Sequence, residues 1–542
     1  MTSRESGLNQ DAAAVPRPAM RQAWRTWPRL VAIVVLVLVT ACGATRDDSR
    51  GAAAAAEPNS PLNPRFFVVA YEQIADKYVS PMTVSRVAFT GLQGLARMDP
   101  RLDIRRQGDR IELREGGQVV SALAAPGRDD GRGWADLTLQ MIEAARQRSE
   151  RVRNADSEAI YQAIMDQALT LLDQYSRYAS QEQAREGRAS RDGFGGIGIT
   201  LDTEGGGARV RNLQPESPAE RAGVKADDRI VQINGEPVQG LTSRDIVQRL
   251  RGQIGTSVDI TVNRPSTRET LSFTLVRQLI VPTTVAYRRD GNVAYIHLLG
   301  FNQRTTDVLA EAIRMARRDI GSALQGIILD MRGNLGGLLD QSISVSDMFL
   351  PAGEIVSTRG RHRQSGQVSF ARGRGMATDV PLVVLINGSS ASASEIVAAA
   401  LQDNGRAVVV GTVSFGKGSV QTVIPLPNDG ELFLTWARFH APSGYPLQDL
   451  GVLPLICTSG GRRSADQVIA DIRNGRTTTI AAMATWRHAD HENQAQLRRL
   501  RATCPPESTE REVDVEIARR LLADPQLYAR ALRSARATAQ AR

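Results

Sequence analysis

The spacing of apolar positions changes several times along this chain, and each change marks a different kind of element. From Arg65 the repeat is helical: Phe66, Phe67, Val69, Tyr71, Ile74, Ala75 and Tyr78 recur at the roughly 3.6-residue interval that lines one helix face. A second helical stretch covers residues 83–98. Residues 103–123 alternate instead, with Gly116-Gly117 as a turn, which predicts a small hairpin. Helical spacing returns over residues 134–172, interrupted near Arg153-Asn154. Between Gly193 and Gln278 the chain reads as short strands broken by glycine turns, with one helix over residues 243–250. From Thr284 strands and helices alternate: strand 293–298, helix 305–319, buried strand 326–331, a helix running to Phe349, buried strand 382–386 and a helix over 396–401. Residues 407–411 and 419–424 follow as strands, and beyond Cys457 the chain is helical and charged. The fold class is therefore multidomain α/β. The pattern gives a mainly helical N-terminal domain (65–190), a β-rich segment with helices (191–279), an α/β core (280–458) and a helical C-terminal region (459–542).

The first 64 residues belong to none of these. Arg17, Arg21, Arg25 and Arg29 precede an apolar run over residues 30–39, then Thr40-Ala41-Cys42-Gly43. A basic region, a short apolar core and small residues form an export signal, and the run falls short of the roughly 20 residues a spanning helix needs. Val39-Thr40-Ala41-Cys42 resembles a bacterial lipobox, which makes residues 1–41 the signal and Cys42 the lipidated mature N-terminus. An ordinary signal peptide or an uncleaved anchor fits the same composition, and Met20 is an alternative start. The Ala-, Pro- and Asn-rich stretch that follows reads as a tether to residue 64. The expected location is the bacterial cell envelope, on the periplasmic side, held to a membrane through lipid. In an exported chain the two remaining cysteines, Cys457 and Cys504, pair as a disulfide.

The formal net charge of +9 comes mostly from arginines spread over helical segments. No basic block alternates with aromatics, which argues against nucleic acid as a partner. No cysteine or histidine spacing resembles a metal site; His488 and His491 lie at H-x-x-H spacing without a third ligand. No cofactor is implied.

Asn387-Gly388-Ser389-Ser390-Ala391-Ser392-Ala393-Ser394-Glu395 sits where the 382–386 strand gives way to a helix. A serine there faces unpaired helix N–H groups and the positive end of the helix dipole, the groups that stabilise an oxyanion. Such turns also serve as plain N-caps. The second signal is Lys417, flanked by Gly416 and Gly418 inside a strand-like run. Gln421 lies four residues on, and side chains four apart on a strand share a face. A lysine acts as a base only when neutral, which burial favours and a nearby carboxylate opposes. His440 is the competing base.

Residues 193–278 resemble a PDZ domain: Gly195-Gly196-Ile197-Gly198-Ile199, then Ser217-Pro218-Ala219-Glu220-Arg221-Ala222-Gly223-Val224, then Asp227-Asp228-Arg229-Ile230-Val231. The turn Gly195, Gly196, Ile197, Gly198 would offer N–H groups to a peptide carboxylate, and the adjacent strand edge would pair with the peptide. With the D-x-R-x-N-x-G-G loop at Asp330, the S-A-S-A-S-E turn and F-G-K-G-x-V-Q at Phe415, the chain resembles a carboxyl-terminal processing peptidase, or tail-specific protease. Leu172-Asp173-Gln174-Tyr175-Ser176-Arg177-Tyr178 is similar to that family's L-D-P-H-S-x-Y with Pro and His replaced. The resemblance implies a crotonase/ClpP-like protease core with Ser392 as nucleophile, Lys417 as general base and Gln421 orienting the lysine. It implies an oxyanion hole from Ala393 N–H and one N–H of Gly336 or Gly337, with Asp403, Asp330 and Arg332 as supports. The expected substrates are unstructured protein or peptide C-termini; an adaptor or a homo-oligomer is left open. The alternative is a catalytically silent PDZ-containing periplasmic binding or adaptor protein.

Overall fold

The computed structural model describes residues 61–202, 208–373, 375–461, 463–476 and 479–540. The export signal, Cys42 and most of the tether lie outside the described residues.

The N-terminal helices Pro64–Lys77, Val84–Leu92, Gly131–Arg148 and Ser157–Leu169 each begin at a side chain that caps a free N–H: Asn63, Thr83, Asp130 and Asp156. Their apolar faces meet around Phe66, Phe67, Tyr71 and Trp134. The expected hairpin is a three-stranded antiparallel sheet, Leu102–Gln107, Arg110–Glu115 and Gln118–Ala124, because Gly108 makes a second turn besides Gly116-Gly117. This core is not closed by its own segment. Ile424, Leu426, Leu432 and Leu434, from a hairpin far downstream in the chain, complete the buried cluster.

The PDZ segment forms a sheet in the order Glu269–Val276, Ser257–Arg264, Arg229–Ile233, Ala208–Leu213, Ile199–Asp202. Ile199–Asp202 is the edge strand of that order. Phe194–Gly196 pairs separately with Gln278–Ile280, so the segment's entry and exit are hydrogen-bonded to each other.

The core sheet runs Val285–Asp290, Val293–Leu298, Gly326–Asp330, Leu382–Ile386, Val408–Gly411, Ile456–Cys457. After the first antiparallel hairpin every pairing is parallel. The central strands are buried along their whole length, as their unbroken apolar runs require. A second sheet, Gln367–Phe370, Glu354–Arg359, Glu431–His440 and Ser419–Pro425, carries the hairpin that enters the N-terminal core.

The C-terminal helices join the core rather than trail from it. Val515, Ile517, Leu521 and Leu522 of helix Glu512–Ala523 lie in the same apolar cluster as the central strands. Cys457 and Cys504 form a disulfide across 47 residues of sequence. The loop that follows, residues 505–511, runs over the carboxyl ends of three strands. Gly388 N–H donates to Glu507 O (2.7 Å), Asn387 Nδ2 to Ser508 O (2.9 Å), and Arg332 Nη1 to Arg511 O (2.7 Å). Among the described residues no helix is long and apolar enough to cross a membrane.

Candidate active site

Ser392 sits directly before helix Ala393–Asp403 with φ +57° and ψ −114°. A non-glycine residue held there costs on the order of 1–3 kcal/mol and persists only where its surroundings impose it. The imposition is visible. Ser390 Oγ donates to Met331 O (2.8 Å), Ala391 N–H to Asn334 O (2.9 Å), and Ser394 Oγ to Asn334 O (3.0 Å). Asn387 Oδ1 accepts Gly333 N–H (3.0 Å). The serines that flank Ser392 thus fasten the turn to the Arg332–Gly337 loop. A Cβ on Gly336 would lie 2.8 Å from Ser392 Cβ, which shows how closely the two loops approach.

That loop separates the two glycines left open by sequence. Gly336 N–H donates to Asn334 Oδ1 (2.8 Å) and is occupied. Gly337 N–H and Ala393 N–H have no acceptor among the described residues. Asp330 and Arg332 anchor the loop: Arg332 bonds both Asp330 oxygens (2.9 and 2.6 Å) and Asp514 (3.2 Å), and Tyr295 OH donates to Asp330.

Lys417 is not in a strand, as expected from its neighbours, but in the loop before Ser419–Pro425. The reason is Glu395, which in the sequence stands only as the end of the serine-rich turn. Its fully buried carboxylate accepts four hydrogen bonds: Ser414 Oγ (2.6 Å) and Gly416 N–H (2.7 Å) on Oε1, Ser392 N–H (2.7 Å) and Lys417 N–H (2.9 Å) on Oε2. One oxygen therefore lies between the backbones of Ser392 and Lys417. Burial pushes the Glu395 carboxyl up from its ordinary value, and the four donors oppose that shift by favouring the anion. The only sequence signal was a Glu three residues after a helix-opening serine, which reads as half of a capping box.

The Lys417 amine is largely buried, and burial lowers its pKa; Arg177 lowers it further, while Glu395 and Asp173 raise it. Nζ stands 5.3 Å from the centre of the Tyr175 ring. Among the described residues no hydrogen bond joins Nζ to Ser392 Oγ. Gln421 makes no hydrogen bond to Lys417 among the described residues. A register shift between Val420 and Gln421 breaks the alternation on which the shared-face argument rested. The Gln421 amide donates instead to Ser419 Oγ (2.8 Å) and Thr435 Oγ1 (3.2 Å). Thr435 Oγ1 donates to Asp173 (3.1 Å), which also takes Ser176 Oγ (3.0 Å). Gln421 is thereby linked to the segment that leads into the PDZ domain.

Other candidates fall into place away from Ser392. Asp403 accepts from Arg487 (3.0 Å) and Ser443 (2.6 Å) and braces the far end of the helix. His440 makes no hydrogen bond to Ser392 among the described residues, and burial pushes its imidazole down to about 4. No group of residues that could hold a metal ion occurs among the described residues. Ile197 and Gly198 line a groove of about 670 Å³ between strand Ile199–Asp202 and helix Ser243–Leu250, and Gly196 lines it too. Gly195 is absent from that lining; a Cβ there would lie 2.1 Å from Gly252 O, so its glycine serves close packing.

A family model described as peptidase family S41 matches residues 292–457, and one described as a PDZ domain matches residues 209–264. The chain is 43% identical to the carboxy-terminal-processing protease of Bartonella bacilliformis over 57% of this chain and 72% of that protein. It is 32% identical to the chloroplastic carboxyl-terminal-processing peptidase 3 of Arabidopsis thaliana over 64% of this chain and 69% of that protein. A solved structure of a photosystem II D1 C-terminal processing protease aligns over 72% of this chain and 92% of that chain, at 24% identity and a TM-score of 0.37.

Glu395→Gln replaces an acceptor oxygen with a donor facing two N–H groups. It should lower kcat by about 10²-fold with little change in KM, the scale expected for misplaced reacting groups; steady-state kinetics on a peptide substrate checks this. The pH profile tests Lys417. A base must be neutral, so kcat rises with pH through the lysine's lowered pKa. Arg177→Gln removes a charge that disfavours the lysinium, so the pKa rises and the ascending limb should move to higher pH.

Proposed function

The chain belongs to peptidase family S41, the carboxy-terminal-processing serine proteases, and on that premise we propose an exported, membrane-tethered endopeptidase that captures protein C-termini in its PDZ domain and cleaves with a Ser392–Lys417 dyad. The observation that carries the dyad is the Glu395 carboxylate, one oxygen of which holds the backbone N–H groups of both residues. A structural N-cap would have no reason to bond a distant lysine loop.

In the proposed reaction, substrate binding draws Lys417 Nζ from Tyr175 to Ser392 Oγ; catalytic hydrogen bonds commonly tighten only in the substrate complex. The neutral amine takes the Oγ proton as Oγ bonds to the scissile carbonyl carbon. The oxyanion that forms is held by the Ala393 and Gly337 N–H groups and the helix dipole. The C–N bond then breaks, and the leaving amine takes the proton from the lysinium. Water, deprotonated by the same amine, then bonds to the acyl carbon, the acyl–Oγ bond breaks, and the lysinium returns its proton to Oγ. The largely buried position of Lys417 and the charge of Arg177 support a neutral base against the opposing carboxylates.

Capture in the groove beside Ile199–Asp202 would let an extended peptide add to that sheet edge. Export and lipid attachment rest on the sequence of residues 17–43 alone.

Ser392→Ala and Lys417→Ala should each reduce cleavage of an unfolded protein with an apolar tail by at least about 10³-fold while leaving peptide binding intact. Mass spectrometry of the products checks this, and retained cleavage in either variant rejects the dyad. In a bacterial host the protein should incorporate an alkynyl fatty-acid label that Cys42→Ala abolishes; an unlabelled parent rejects the lipid anchor.

A further inference from the structure

The helical region beyond Cys457 sends one arginine toward the site. Helix Gln494–Arg501 ends in basic residues; Arg498 and Arg499 are exposed, whereas Arg501, its last residue, is half-buried. Arg501 Nη1 donates to Leu450 O (2.7 Å) and lies 3.1 Å from where a Cβ on Gly416 would stand. Gly416 has φ +93°, so glycine there suits both the backbone and the close approach of the guanidinium. Gly416 N–H in turn donates to Glu395 Oε1 (2.7 Å). One glycine therefore packs against the guanidinium and bonds the buried carboxylate. The arginine is also fixed from behind: Cys504 N–H donates to Arg501 O (3.3 Å), and Cys504 is bridged to Cys457.

The ionisable groups near Glu395 divide by the charge they can keep. Lys417, Arg501, Tyr175 and Tyr445 each feel its carboxylate, and Asp449 acts on Arg501 and Tyr175 as a second anion. Burial raises both tyrosines, which leaves them neutral. Lys417 has to be neutral to take the proton of Ser392. A guanidinium does not give up its charge. Burial disfavours the charge of Arg501, and Glu395 and Asp449 favour it. Of these groups, Arg501 is thus the cation that persists while the lysine is a free base. A fully buried carboxylate with no persistent counter-charge either takes up a proton or draws the lysine into its charged form. Either result disables the base.

We infer that Arg501 is a positioning residue for the reaction: it acts through Glu395, keeping that carboxylate ionised while Lys417 is neutral, and so ties the C-terminal helical region to the chemistry of the base. The inference rests on the Ser392–Lys417 reading above. The competing role is a brace, in which Arg501 only holds Leu450 and its loop in place.

The test uses the full chain and a quenched fluorescent peptide with an apolar, free C-terminus, with kcat and KM measured over a pH series. Arg501→Gln should lower kcat about tenfold near neutral pH with KM little changed, the scale of a lost charge-assisted contact. The sign follows from the charge removed. Glu395 then protonates at higher pH and Lys417 stays charged to higher pH, so the ascending limb of kcat moves upward. On a Glu395→Gln background the same substitution should cost no more than about twofold further, because the charge it served is gone. A loss of about tenfold on both backgrounds overturns the inference, since Arg501 would then be a brace. An unchanged kcat and limb in Arg501→Gln overturns it too. Arg501→Lys keeps the charge without the planar fork and should leave the limb in place; a limb moved upward in that variant overturns the inference whether or not Arg501→Gln folds. A parent that does not cleave the peptide, or a Ser392→Ala form that does, overturns the dyad reading itself, a result no Arg501 variant produces.

Discussion

The site is held together by one buried carboxylate. Ser392 and Lys417 are 25 positions apart in sequence by their numbering, on different loops, and neither loop has regular structure to fix it. Glu395 gives both a common reference point, accepting N–H groups from each on a single oxygen and from Gly416 and Ser414 on the other. Such an arrangement is demanding. A buried carboxylate is unfavourable unless its lone pairs are met, and here four donors meet them. Ser414 extends the grip, since its Oγ also accepts Val452 N–H (2.7 Å) while donating to Glu395. The charge that would hinder a neutral lysine is thus engaged by backbone groups, and its effect on the amine is set against burial and Arg177.

Around this centre both helical regions that flank the core and the PDZ segment supply braces. The 505–511 loop, tied down at its start by Cys504, bonds the turn that carries Ser392 at Asn387 and Gly388. Arg332 joins the Arg332–Gly337 loop to Asp514 of the C-terminal region. From the other side, Val79 N–H donates to Thr435 O (2.8 Å), and Ser176 and Asp173 hold Thr435, whose hydroxyl accepts from Gln421. The N-terminal helices therefore bear on the strand of Gln421, while the C-terminal helices bear on the turn of Ser392. Catalytic geometry on such a scaffold depends on packing far from the chemistry.

What sequence made legible follows from how local each signal is. Strands Val293–Leu298 and Leu382–Ile386 and helix Ser243–Leu250 match their expected bounds because each is a short run fenced by turn residues. The PDZ segment and the protease core were readable from ordered motifs, and the chain's relatives bear out that reading of fold and family. The failures are non-local. Glu395 looked like a cap because its other partners lie some 20 positions downstream. Gln421 was read on strand alternation from Lys417, but Lys417 lies in the loop before the strand and a register shift falls between Val420 and Gln421. The role of the 505–511 loop has no sequence mark, since its contacts are made mostly by backbone carbonyls that any residue possesses.

The position of the lysine amine follows from the charges around it. Tyr175 stands where the family's motif has a histidine, and its ring faces Nζ at 5.3 Å. An aromatic face favours a cation, whereas burial favours a neutral amine. At Lys417 the ring and the carboxylates of Glu395 and Asp173 favour the cation, while burial and Arg177 favour the neutral amine. The segment that could govern it is short: Asp173, Tyr175 and Arg177 act on Lys417 through ring and charge, and Asp173 is bonded to the Thr435 that receives Gln421. These three residues lie in the stretch joining the N-terminal helices to the PDZ domain, so that stretch bears on the Lys417 amine directly. The stretch that leads into the PDZ domain and the Lys417 amine are therefore neighbours in space.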